Sequence, residues 1–137
     1  MSLENVQQAL ISAFTGASIV DADKIAWENV KFTPPVSAPW AAVYFMPAME
    51  KVATLGAGGT DQADGLFQVT YYIPVGGGEG DSRAKMNSLR TAFTPGQITY
   101  NGQPVTILGR YKGPGLTFNN FYAIPFTVRW RAFLTRS

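Results

Sequence analysis

The closing stretch FYAIPFTVRWRAFL, residues 121–134, alternates Phe126, Val128 and Trp130 with Thr127, Arg129 and Arg131. Such period-two alternation describes a strand with one dry and one wet face. A chain that ends this way needs other strands to pair with and an apolar layer to cover the dry side. The stretch LFQVTYYI, residues 66–73, repeats the pattern, with Phe67, Val69, Tyr71 and Ile73 set against Gln68, Thr70 and Tyr72. Pro125 has no N–H to give a ladder, so a split or a bulge is expected there.

Two helical segments offer the cover. Leu3, Val6, Leu10 and Phe14 form one stripe with Ala9 and Ala13 beside it; Ser2 suits the cap, Glu4 the first turn and Gly16 the stop. Residues 82–93 repeat this with Met86, Leu89 and Phe93, capped by Asp81 or Ser82 and ended by Thr94-Pro95-Gly96. Between them, Pro34, Pro35 and Pro39 enforce irregular extended chain. Trp40–Met46 then reads as an interior strand, apolar on both faces, with residues 50–55 read as a continuing strand. LGAGGTDQADG, 55–65, reads as a loop, disordered without a partner. Asn101-Gly102 marks a hairpin, Pro104 an edge or bulge position, and KGPG, 112–115, another turn. The expectation is one α+β domain over residues 1–137. It has a mostly antiparallel sheet, two helices on one face and an extended β-hairpin loop.

Composition removes many activities. The chain has no cysteine and no histidine, which excludes disulfides, thiolate metal sites, cysteine nucleophiles and imidazole chemistry. A net charge of +2 is too small for binding driven by phosphate neutralisation. Only 15% of residues are charged while 13% are aromatic, a balance suited to a surface partly covered by other subunits. The start, MSLENVQQALISAF, lacks the basic region of a signal peptide, and no apolar run is long enough to span a membrane. A soluble cytoplasmic protein is the expectation.

The remaining motifs weigh against catalysis. YYIPVGGGEGDSRAK, 71–85, has the strand–glycine–helix layout of a phosphate loop. Yet Asp81 stands where either glycine motif needs a glycine, and no Gly-Lys-Ser/Thr follows. It reads as a flexible joint before an acid-favoured helix start. Asp21-Ala-Asp23 lacks the ligand number of a calcium loop. Asp61 and Asp64 have no rigid frame for acid–base work. RWRAFLTR, 129–136, could be a platform for single-stranded nucleic acid, but alternation separates Trp130 from Arg129 and Arg131. Trp27, Trp40 and Trp130 are most simply core residues.

AWENVKFTPP (26–35), the Pro39-Trp40 step into AAVYFMP, FQVTYYIPVG, the helix SRAKMNSLRTAF and FYAIPFTVRWRAF together resemble the tail terminator proteins of long-tailed bacteriophages. The resemblance spans nearly all of the chain. It implies a homo-hexameric ring that caps the tail tube, stops its polymerisation and presents a surface to head-completion proteins. It implies a virion protein at the head-proximal end of the tail, assembled in the host cytoplasm. It implies no enzyme activity, cofactor, membrane or specific nucleic-acid target, although DNA would pass through the ring. The candidate tube or subunit contacts are Lys51, Gly56, Gly58, Gly59, Thr60, Asp61, Gln62, Asp64, Arg129 and Arg131. A head–tail connector component and a single-stranded nucleic-acid-binding module are the alternatives.

Overall fold

The computed structural model describes residues 3–35, 37–56, 58–76 and 80–135. Helix α1, Leu3–Ala17, buries Val6, Leu10 and Phe14 of the predicted stripe together with Ala9, while Leu3 and Ala13 are half-buried. It runs through Gly16. Ser18, at φ 52, ends it instead and returns its N–H to the Thr15 carbonyl at 3.2 Å. Ser2, expected as its cap, lies outside the described residues.

A 3-10 turn, Ala22–Lys24, leads into strand β1, Ile25–Ala26, which pairs parallel to β2, Trp40–Val52. The remaining strands are β3, Thr60–Pro74; β4, Gly96–Tyr100; β5, Gln103–Lys112; β6, Leu116–Phe118; and β7, Phe121–Thr135. Their order is β1-β2-β3-β7-β5-β4, with β6 also on β7. Every pairing except β1–β2 is antiparallel. Helix α2, Gly80–Ala92, and α1 pack on one face, so the α+β expectation holds. Met86, Leu89 and Phe93 are buried as predicted, and Ser82 is buried inside the first turn of α2 rather than preceding it. Gly77–Glu79 of the glycine joint lie outside the described residues. Val75 donates to the Asn120 carbonyl at 3.0 Å, tying the end of β3 to the β6–β7 turn.

Three expectations are corrected. β2 is not interior along its length. Among its described side chains only Trp40–Val43 are buried, because β1 covers just two residues and the rest of β2 is a free edge. The loop 55–65 is shorter than expected. Thr60–Gly65 are strand, paired with β2 on one side and β7 on the other. Small Ala63 (1% exposed) and Gly65 face the core there, where bulk is not needed to be inside. Finally, Pro125 neither splits nor bulges β7, whose register on β3 runs unbroken from Thr60↔Thr135 to Pro74↔Phe121. The Pro125 carbonyl accepts from Gly113 N–H at 2.8 Å, so its backbone polar side points away from β3. The missing N–H therefore costs the β3–β7 ladder nothing.

The Asn101-Gly102 hairpin forms as read. Both residues take positive φ (52 and 79), the geometry of a two-residue turn matched to strand twist. Buried Gln103 continues the tie beyond the last β5–β7 register pair: its Nε2 donates to Pro104 and Phe133 carbonyls at 2.8 and 3.3 Å.

Candidate functional site

Strand alternation sorts the candidate contacts. Residues level with the buried row of β3 (Ala63, Gly65, Phe67, Val69, Tyr71, Ile73) meet the helices; their neighbours in sequence face the other way. That second face carries Lys51 and Gln62 in one row, Asp64 with Arg131 in the next, and Arg129 with Leu66 and Met46 in the row after. Thr60 lies on it too, at the end of β3. Asp61 does not: it is level with Val52 and Leu134 on the helix side. Gly56, Gly58 and Gly59 sit in the β2–β3 turn. There Gly59 N–H reaches the Gly56 carbonyl at 3.1 Å, and the Thr54 hydroxyl oxygen accepts from Thr60 N–H at 2.7 Å.

The helix-free face is covered only at one end. Phe32, from the proline-rich segment, lies at 5.3 Å from Trp40, which stacks flat on Tyr72 at 3.9 Å and meets Phe121 edge-on at 6.0 Å. Burial, with the neighbouring Tyr44 phenol, pushes the Tyr72 hydroxyl above its usual range. Beyond this cluster the face is open. Tyr44, Met46, Tyr111 and Phe133 are exposed there, at 38–58%. At its centre Arg131 Nε donates to Asp64 Oδ1 at 2.8 Å, and Gln62 Nε2 donates to Asp64 Oδ2 at 3.0 Å. The Arg131 hydrogen bond, helped by Gln62 and the nearby positive charges, holds the Asp64 carboxyl below its usual range against the opposing effect of burial.

Trp130 is on the opposite side, fully buried, stacked on Phe45 at 5.4 Å. The basic–aromatic stacking platform of residues 129–136 is thus dismantled by alternation: Trp130 is core, Arg131 is paired, and Phe133 alone shares the arginine face. Sequence reasoning missed the Glu28 carboxylate, which accepts a hydrogen bond from Phe45 N–H on the β2 edge. β1 stops two residues into its pairing, and this side chain caps the next outward donor. Pro47, two residues on, has no N–H to expose along the same edge. Among the described residues no group of acids clusters as a metal site, and no helix is long and apolar enough to cross a membrane.

The arrangement defines an α+β protein that spends one sheet face on its core and leaves most of the other open beside a capped edge. The family model of phage tail terminator proteins matches residues 5–130, and the chain belongs to that family. No curated protein matches the sequence. Among solved structures, one protein 25% identical to this chain superposes with a TM-score of 0.72, covering 96% of each chain. A component of the virion of a native gene transfer agent particle, 13% identical, superposes with a TM-score of 0.59, again over 96% of each. Family membership gives the protein a structural role in the phage tail and makes it a virion component.

Proposed function

We propose that copies of this chain assemble as a ring, a hexamer by family resemblance, that seats on the head-proximal end of a long-tailed phage's tail tube. The ring stops tube growth by occupying its end and offers its other side to head-completion proteins. The action is steric and uses no cofactor. The observation that carries this reading is the open sheet face, which exposed aromatics share with the Asp64–Arg131 pair. An exposed apolar area on a structural virion protein marks a contact surface.

Light scattering of the purified protein, followed by negative-stain imaging with purified tail tubes, tests the proposal. Rings in solution or on one tube end are the expected result. A strict monomer that never decorates tube ends refutes it. Met46→Asp with Tyr111→Asp is expected to leave the helical signal intact and abolish end decoration.

A further inference from the structure

Two edges of the sheet present different charged groups. On one side, β4 pairs only with Gln103–Ile107, so Leu108–Lys112 of β5 form a free edge. There, Arg110 and Lys112 line a cavity of about 320 Å³ with Asn87 and Arg90 of α2, over a floor of Met86 and Phe126. No carboxylate lines it among the described residues, and Arg110 Nε is buried with no hydrogen-bond partner among them. Guanidinium groups around a notch demand an anion with directed lone pairs.

On the other side, the 3-10 turn before β1 presents Asp21 and Asp23, both exposed. Asp21 occupies the cap position without a side-chain cap bond and lines a small cavity with Lys24 and Lys85, and Asp23 pairs with Lys24 at 3.6 Å with its own side chain 77% exposed. The strand that follows the acidic turn starts close to the row of Lys112. Ile25 of β1 is in the row of Ala41, Tyr71 and Ile124; Lys112 is in the row of Phe126 and Val69, two residues away. Across β1-β2-β3-β7-β5, four strand spacings separate them by about 19 Å.

We propose that neighbouring copies join head to tail across these edges, the Asp21–Asp23 turn of one entering the Arg90–Arg110–Lys112 cleft of the next. The inference rests on the ring reading and deepens it. A contact between two unlike patches propagates, and closes into a ring when the rotation permits. Exposed carboxylates in a turn at one edge and a basic notch without carboxylates near the other supply such a pair. The small notch suits a side chain delivered by a turn better than a duplex backbone.

A charge swap tests it. One variant carries Asp21→Arg and Asp23→Arg; the other carries Arg90→Glu and Lys112→Glu. All four positions are exposed. Each variant alone is expected to remain monomeric by light scattering, while an equimolar mixture, in which every contact is again complementary, assembles. Wild-type assembly is expected to weaken as salt is raised. If both variants assemble alone as the wild type does, the edge contact is wrong and the ring survives. If a variant pair fails to assemble on mixing, although each melts like the wild type, the pairing is likewise overturned. Tight binding of inorganic phosphate or duplex DNA lost in the cleft variant, with assembly unchanged, assigns the cleft to phosphate instead. A wild type that is monomeric at every concentration overturns the ring reading itself.

Discussion

Gly65→Ala separates a slack loop from a core strand most sharply. A Cβ at Gly65 would stand 2.5 Å from the Met46 carbonyl oxygen, 2.6 Å from Trp130 Cζ2 and 2.9 Å from Pro47 Cα. Ordinary contact begins near 3.4 Å, so these atoms must retreat by about 0.5–0.9 Å. Two of them are backbone, at the point where the β2 register shifts between Pro47 and Met49. The third cannot swing away, because the Trp130 ring is stacked on Phe45 and fully buried. Overpacking against neighbours that cannot yield costs ~2–3 kcal/mol. Restricting the unfolded chain by replacing glycine returns ~0.5 kcal/mol. The net loss is about 2 kcal/mol, or about 8 °C in Tm for a chain of this size.

Urea and thermal melts followed by tryptophan fluorescence read this directly, with Gly58→Ala as the comparator. A Cβ at Gly58 meets nothing within 4 Å, and that variant is expected to change stability by under ~0.5 kcal/mol. If Gly65→Ala is as mild as Gly58→Ala, residue 65 is not pressed between β2 and Trp130, and the assignment of Thr60–Gly65 to the sheet fails with it.

Asp64→Asn is expected to cost ~0.5–1 kcal/mol at neutral pH, discounted for a pair about one-third exposed. Because folding lowers the Asp64 pKa, its contribution is present above the unfolded value and fades as pH falls through the folded one. Melts of the two proteins should therefore converge in acid, and a gap that persists there would contradict the pairing. Glu28→Ala leaves the Phe45 N–H open on the β2 edge; a loss of ~1–2 kcal/mol and greater concentration-dependent turbidity are expected. Deleting Gly58 should shift Tm by only a few degrees, whereas deleting Ala63 flips every later β3 side chain to the wrong face and should prevent cooperative folding. Circular dichroism melts distinguish the two.

What sequence reasoning read well was periodic. The stripes of α1 and α2 and the alternation of β3 and β7 follow from burying one face of each element, and side-chain type alone reveals that. It failed where burial depends on neighbours rather than on hydrophobicity. Ala63 and Gly65 look like loop residues until β7 pairs beside them, with Ala132 opposite Ala63 and the bulk of Trp130, 65 positions on, against Gly65. Pro125 looks like a strand breaker until β5 ends beside it. Glu28 looks like an ordinary surface acid until β1 stops short and leaves a donor on β2. Of the ten candidate contacts, the five strand residues Lys51, Gln62, Asp64, Arg129 and Arg131, with Thr60, do share one face. Their grouping needed the registers of β2, β3 and β7, which no local pattern encodes.

The ion pair in the middle of that face has a consequence for which partner can cover it. Tyr44, Met46, Tyr111 and Phe133 would gain about 25 cal/mol for each Å² of apolar surface they bury, whatever covers them. Asp64 and Arg131 respond differently. Their exposed remainders, about a third of each side chain, still rely on water for hydrogen bonds that Gln62 and the pair itself leave unmade. An apolar partner laid flat on this face would strip that water and leave charged groups short of bonds, a penalty that rises steeply with burial. A partner with a donor over Asp64 and an acceptor over Arg131 avoids it. The aromatics thus supply adhesion without choosing, and the pair rejects surfaces that are merely greasy. On the proposed role, that division of labour would let the exposed sheet face favour one docking geometry over indiscriminate apolar contact.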